Sequence, residues 1–264
     1  MNMPDLPQRN LKLVVAYDGT AYAGWQIQPN APTIQGILTN VASTILDHPV
    51  QVFGASRTDA GVHANYQVAA LKTVAARPVD QIMKGLNALL PPDIRIMEIQ
   101  DVPLSFHPRA HAVEKIYRYR LFTGRALPPF EHRFVHHVFG SLDLEAMARA
   151  SALFEGEHDF TSFRDAQCSA RTTVRSISQS RLKVLNDGFV EYTIIGNRFL
   201  HHMVRIIVGT MIWVGKHKLS SEDIHVILKE KDRRCAGPTA PAHGLFLEHI
   251  TFKKEDTCPR NSGA

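Results

Sequence analysis

The stretch VQVFGASRTDAGVHANYQVAALK, residues Val50–Lys72, holds two strand patterns around a polar turn bracketed by Gly54 and Gly61. Val50–Ala55 and Val62–Lys72 read as the strands. Glycines on both sides let the backbone turn sharply. A strand that ends in such a turn can present a side chain outward instead of burying it. The turn has one carboxylate, Asp59, two residues after the cation Arg57. Two readings of Asp59 stand side by side: a turn-capping acid bonded to its own backbone, or a carboxylate aimed into a cleft for chemistry.

Working outward, Leu11–Tyr17 alternates as a strand. Thr33–Leu46 places Ile34, Ile37, Leu38, Val41, Ile45 and Leu46 at helical spacing. Val79–Leu90 is helical and stops at Pro91-Pro92, and Ile94–Ile99 is another strand. The order is β-α-β-β-α-β. The second part repeats it. Lys115–Phe122 reads as a strand, and Leu142–Phe154 as a helix capped by Ser141 or Asp143. Thr173–Leu185 and Phe189–Ile195 form a hairpin around Asn186-Asp187-Gly188. Phe199–Val214 and Ser221–Glu230 read as helices, the latter opened by a Ser-Ser-Glu-Asp cap region, and Leu245–Phe252 as the last strand. The expected fold class is α+β. Two ferredoxin-like halves form an antiparallel-rich mixed sheet with a central cleft and helices on the outer face. Expected boundaries are 1–108, 109–252 and a loose polar tail at 253–264.

Composition excludes several classes. The first ten residues lack both a basic and an apolar signal region, so no signal peptide is expected. The longest apolar stretch, Met203–Val214, is interrupted by Arg205 and too short to span a bilayer. Three scattered cysteines, Cys168, Cys235 and Cys258, argue against a disulfide framework and for a reducing cytoplasm. The net charge is +5, and it is unevenly placed. Residues 1–108 hold 7 Lys/Arg against 8 Asp/Glu, and residues 109–264 hold 23 against 17. The excess clusters at Arg109–Arg125 and Arg164–Lys183, patches that fit a polyanion such as nucleic acid. A solvated basic surface is the plain alternative.

Arg205 lies in a run that is apolar almost all round, so its helix is expected to be buried and its charge paired. No carboxylate stands three or four residues away. A partner must come from elsewhere, with Asp59 one choice; otherwise the long stem reaches solvent. In Lys115–Arg120 the strand period puts Tyr117 and Tyr119 on one face and Arg118 and Arg120 on the other. One face could stack on a base and the other touch phosphate; a core tyrosine pair with a solvated basic face fits equally. Arg175, Arg181 and Lys183 are read as one strand face. Fourteen histidines invite a metal site, but no His-Glu-x-x-His or paired Cys-x-x-Cys occurs, so none is expected. No Gly-x-Gly-x-x-Gly follows a strand, and Gly209–His217 departs from a phosphate-binding loop in spacing and in its last residue.

Taken together these residues resemble the A-type tRNA pseudouridine synthases. The likeness runs from about Leu11 to Phe252. It rests on Asp18–Gln26, Thr33-Ile34-Gln35, Ser56–Ala64, Phe106-His107 with Arg109, and Lys115, Tyr117 and Tyr119. It continues through His158-Asp159-Phe160 with Phe163, through Phe199-Leu200, Met203-Val204-Arg205 and Val208-Gly209-Thr210, and through Gly237, Thr239-Ala240-Pro241 and Gly244-Leu245. Ala242 departs from the second proline common in the family, and Ile37 and Thr39 from acidic residues. The resemblance implies an isomerase that turns uridine into pseudouridine on the 3′ side of the tRNA anticodon loop and the adjoining stem. It also implies a homodimer, with neither metal nor organic cofactor. It makes Asp59 the catalytic carboxylate, as nucleophile or base, and Arg205 its ion-pair partner. Tyr117 would stack under the uracil and take the C5 proton. Substrate would be held by Arg57, Thr58, Tyr117, Leu245, Arg109 and Arg118, with Arg57 filling the space of the flipped base. A non-catalytic RNA-binding protein or tRNA folding chaperone with ferredoxin-like modules is the alternative, and Asp59 discriminates the two.

Overall fold

The computed structural model describes residues 8–257. The chain divides into two compact units, with boundaries after Val113 and after Phe246. The described residues up to Val113 and from Leu247 onward form the first; Glu114–Phe246 form the second. Sequence order had kept Leu247–Phe252 with the second half; the chain instead returns these residues to the first unit. The expected tail falls partly outside the described residues, as does Cys258, while Lys254–Thr257 forms one helical turn.

In the first unit the elements run β1 (Arg9–Tyr17), α1 (Ile34–Leu46), β2 (Val52–Gly54), β3 (His63–Thr73), α2 (Val79–Leu89) and β4 (Ile94–Val102). This is the βαββαβ order that periodicity predicts. β1 is central and pairs antiparallel with β3 on one side and β4 on the other. β2 pairs antiparallel with β3, Val52 opposite Leu71 and Gly54 opposite Ala69. The last strand, β10 (Leu245–Phe252), also neighbours β3. α1 starts where Thr33 accepts a bond from the Gly36 amide through Oγ1, a cap worth about 1 kcal/mol. It buries Ile34, Leu38, Ala42 and Leu46, while α2 buries Ile82 and Leu86. Both stripes follow helical spacing.

The second unit holds most of β5 (Ala112–Phe122), then β6 (His136–His137), α3 (Leu144–Ala152), β7 (Gly156–Asp159), β8 (Val174–Val184), β9 (Phe189–Gly196), α4 (Met203–Gly215) and α5 (Asp223–Glu230). Its sheet runs β5-β9-β8-β7, antiparallel throughout, with β6 parallel to β5. Asp143 is the cap of α3, its Oδ1 accepting from the Ala146 amide at 2.8 Å. α5 opens on a reciprocal cap: the Ser220 amide donates to Asp223 Oδ2 at 2.7 Å, and the Asp223 amide to Ser220 Oγ at 3.3 Å. The β8–β9 turn uses left-handed backbone at Asp187 (φ 58°) and Gly188 (φ 83°), the conformation an Asn-Asp-Gly run supplies.

Two expectations are corrected here. The helix expected from Phe199 starts at Met203. His202 has φ 60°, left-handed backbone that no α-helix contains, so Phe199–His202 forms a turn. α4 is buried as expected, but Arg205 stands in its first turn and is half-buried. The second correction concerns β8. Arg175 and Ile177 are buried before a register shift between Ile177 and Gln179, Ser180 and Leu182 after it. One extra residue reverses the faces, so Arg175 turns inward (8% exposed) while Arg181 and Lys183 face solvent.

Candidate active site

In the first unit the Asp59 turn is held by buried bonds on both flanks. Thr58 Oγ1 and the Tyr17 hydroxyl lie 2.7 Å apart. Gln67, fully buried on β3, accepts from the Ser56 amide at 3.2 Å and donates to the Ser56 carbonyl at 2.7 Å. The Val62 amide closes the turn on the Asp59 carbonyl at 3.1 Å. Gly61, at φ 76°, supplies the left-handed step. Ser56 and Thr58 are buried, Asp59 is half-buried, and Arg57 is exposed. A carboxylate on such a braced tip keeps its position without spending reaction energy on ordering itself.

The Asp18–Gln26 segment packs against this turn. The Trp25 amide donates to the Thr58 carbonyl at 3.0 Å, and the Gly61 amide to the Tyr22 carbonyl at 3.4 Å. Gly24 has φ 89°, and a Cβ there would lie 2.6 Å from the Thr58 carbonyl oxygen. Only glycine permits that approach. The Trp25 ring covers Gly54, where a Cβ would meet it at 2.4 Å. Gln35 ties the pieces together, accepting from Gln26 Nε2 at 2.8 Å and donating to the Val52 carbonyl at 2.7 Å. The Tyr22 hydroxyl donates to Asp93 at 2.5 Å; burial and that carboxylate raise its pKa far above the usual phenol range. Sequence reading missed the bracing roles of Tyr17, Gly24, Trp25 and Gln67. The signal for Gly24 and Trp25 lay in the Asp18–Gln26 run, whereas Gln67 is an ordinary polar residue in a strand pattern.

Arg109, also of the first unit, is exposed. Incomplete hydration and then the like charge of Arg57 lower its affinity for a proton. Two cations predicted from separate motifs are therefore brought within electrostatic reach.

The second unit holds Tyr117, Arg118, Arg205 and Leu245. Tyr117 and Tyr119 are buried (5% and 0% exposed), with Arg118 and Arg120 on the opposite face of β5. Tyr117 meets Phe199 edge-on at 5.0 Å. The Tyr119 hydroxyl donates to the Pro241 carbonyl at 2.8 Å, and burial drives its pKa upward. Arg118 pairs with Glu191 at 2.8 Å and lies over the Phe246 ring. Arg205 Nε donates to the Ala240 carbonyl at 2.8 Å, and the Ala240 amide returns a bond to the Arg205 carbonyl at 3.0 Å. Thr210 Oγ1 accepts from the Gly237 amide at 2.9 Å. A Cβ at Gly209 would lie 1.7 Å from the Pro238 carbonyl oxygen, so the 237–240 segment runs directly on α4. The Ala240 carbonyl orients the Arg205 guanidinium through one of its five donors. Leu245 is buried (5% exposed) at the start of β10.

His158 and Asp159 brace a loop. His158 Nε2 lies 2.8 Å from the Glu155 carbonyl oxygen, and Lys231 sits 2.9 Å from Asp159. Burial pushes the Asp159 carboxyl up, but bonds from Thr161, Thr173 and Lys231 outweigh it and hold it well below the usual range. His136 is pushed down to about 4, first by burial and then by His243, His137 and Lys216. No described helix is long and apolar enough to cross a membrane.

A family model described as tRNA pseudouridine synthase matches residues 13–109 and 150–253. The chain belongs to the tRNA pseudouridine synthase family. It is 44% identical over 248 residues to a tRNA pseudouridine synthase A of Citrifermentans bemidjiense, covering 94% of this chain and 99% of that protein. A tRNA pseudouridine synthase A of Geobacter sp. (strain M21) is 44% identical over 245 residues, covering 92% of this chain and 99% of the other. Among solved structures, a chain of an H/ACA RNP bound to a substrate RNA containing 2′-deoxyuridine is similar at 11% identity and a TM-score of 0.35, over 76% of this chain and 43% of that one. That likeness is too distant to carry an argument. Members of the pseudouridine synthase family are isomerases, and the activity of this chain is uridine-to-pseudouridine isomerisation in tRNA. The family model takes in the Asp59 turn, Arg57, Thr58 and Arg109 in its first matched span, and Arg205 and Leu245 in its second. Tyr117 and Arg118 fall between the two spans.

Proposed function

We propose that the chain isomerises uridines on the 3′ side of the anticodon loop and the adjoining stem of tRNA, with Asp59 as the catalytic carboxylate. The observation that carries this reading is the half-buried carboxylate on a turn braced at Ser56, Thr58 and Val62. The reaction breaks the bond from C1′ to N1 and forms one from C1′ to C5. N1 gains a proton and C5 loses one, so uridine and pseudouridine have the same atoms. A stacked base must first leave the helix, at a cost of a few kcal/mol. Arg57, next but one to Asp59, fills the vacated space with its aliphatic stem and keeps its guanidinium on a flanking phosphate, and Thr58 holds the adjoining backbone. Asp59 then attacks the nucleoside or takes a proton at C2′; either role needs it ionised and shielded from water. In this reading Arg205 supplies its counter-charge. Tyr117 stacks under the uracil and takes the C5 proton, and Leu245 adds an apolar wall. Arg109 contacts the phosphate backbone. Arg118 contributes there only by giving up Glu191. The working form is a cytoplasmic homodimer with one tRNA touching both subunits.

The test uses an unmodified tRNA transcript with uridines on the 3′ side of its anticodon arm. The expected result is pseudouridine at those positions and none when they are replaced by cytidine. Modification elsewhere in the tRNA, with the anticodon arm untouched, contradicts the proposed target.

A further inference from the structure

Two segments distant in sequence lie side by side in the first unit. One is β2 with the residues after it. Val52 and Gly54 turn inward, and Phe53 between them is 41% exposed. The other is Phe106–Arg109. Here Phe106 and Pro108 are buried while His107 and Arg109 are exposed. Phe106 anchors this segment against Phe252, ring centroids 5.3 Å apart. The His107 ring is held in a local turn, where Nδ1 accepts from the Ala110 amide at 3.3 Å.

The segments meet through one ring pair and lie within electrostatic reach at a second place. The Phe53 and His107 rings lie 5.7 Å apart, tilted at 45°. Arg57, four residues beyond Phe53, acts on Arg109, two beyond His107, as a like charge. Four residues of extended chain span at most about 14 Å. An exposed aromatic step is therefore followed closely by a step of two cations. No described carboxylate forms an ion pair with either arginine. Exposed aromatics next to un-neutralised guanidinium groups are what unstacked nucleotides need: a ring for the base and charge for the phosphate. An apolar partner would not require the charge, and an acidic peptide would not require the rings.

We propose that Phe53 and His107 form a stacking platform for an unpaired base of the substrate tRNA, with Arg57 and Arg109 on the adjoining phosphates. The platform rests on the reading of tRNA as substrate. It adds a base-binding surface beside the turn that carries Asp59.

The experiment compares full-length wild type, Phe53→Ala, Phe53→Trp and His107→Ala, using fluorescently labelled tRNA transcript and a pseudouridine assay. Phe53→Ala should weaken tRNA binding by roughly 5- to 100-fold, the range of base–aromatic stacking. The loss should appear in KM, with kcat at saturating tRNA kept. Phe53→Trp should bind within about two-fold of wild type, since it restores a π face. A merely structural role predicts a lowered melting temperature without rescue by tryptophan. The platform is overturned if Phe53→Ala binds tRNA like wild type while wild type makes pseudouridine. Loss of self-association in sedimentation, with tRNA binding intact, would assign the face to a second copy of the chain and overturn it equally. If wild type itself makes no pseudouridine, the functional reading has failed instead, and Phe53→Ala still reports on RNA binding.

Discussion

Arg118 and Arg120 on β5 and Arg57 and Arg109 of the first unit are the same residue type in opposite electrostatic settings. Each β5 arginine has its acid: Glu191 at 2.8 Å from Arg118 and Glu131 at 3.0 Å from Arg120. The pairs are partly exposed and worth little to stability, but they cancel the charge a phosphate would seek. Arg57 and Arg109 lie within electrostatic reach of each other, and no described acid forms an ion pair with either. Counting cations along the chain ranks both regions alike; counting their partners separates them. Polyanion affinity follows un-neutralised charge.

That contrast can be broken in several places. The largest effect short of removing Asp59 itself is expected from Gly24→Ala. The new methyl would meet the Thr58 carbonyl at a backbone angle that disfavours any side chain. Strain of about 1–3 kcal/mol and a displaced turn should lower kcat/KM about 100-fold, read by single-turnover pseudouridine formation. Unchanged activity would mean the turn does not position the reacting group. Next, Arg57→Gln with Arg109→Gln should weaken tRNA binding and lower the slope of log Kd against log salt by roughly 1.5, as two phosphate contacts require. A slope equal to wild type removes both residues from the phosphate track. Arg118→Gln should change affinity no more than about three-fold, because it removes a charge already neutralised. A larger loss would show that tRNA draws Arg118 away from Glu191.

The smallest effect concerns pH. In the folded chain His136 binds a proton only near pH 4, against 6.5 when unfolded. Between those values the unfolded chain holds more protons, so stability falls as pH drops from 6.5 toward 4 and levels off below. The contribution is about 1–2 kcal/mol once its remaining exposure is discounted. Thermal melts of wild type and His136→Asn across that window should converge at low pH. Parallel curves would take His136 out of the account.

The first unit was legible in sequence because its strands and helices keep period and end at strong punctuation: Gly54 and Gly61 around the turn, Pro91-Pro92 after α2. The second unit was less so. Phe199 and Leu200 continue the apolar pattern of α4, and nothing local to His202 announces a left-handed residue. The reversal of Arg175 depends on one extra residue in β8, which the partner strand sets and period two cannot show. β6 and β7 are too short for any periodicity. Asp59 stood out because a lone acid in a glycine-bracketed polar turn is unusual. The bracing by Gln67 and the approach at Gly24 are long-range contacts, so they needed coordinates.

The most direct measurement is a single-turnover assay of Asp59→Asn with saturating protein and a tRNA transcript tritiated at C5 of uridine, alongside its tRNA affinity. Tritium leaves only when the base is reattached through C5. Release should slow by about 10³-fold or more, with Kd within a few-fold of wild type. Release at the wild-type rate would contradict it.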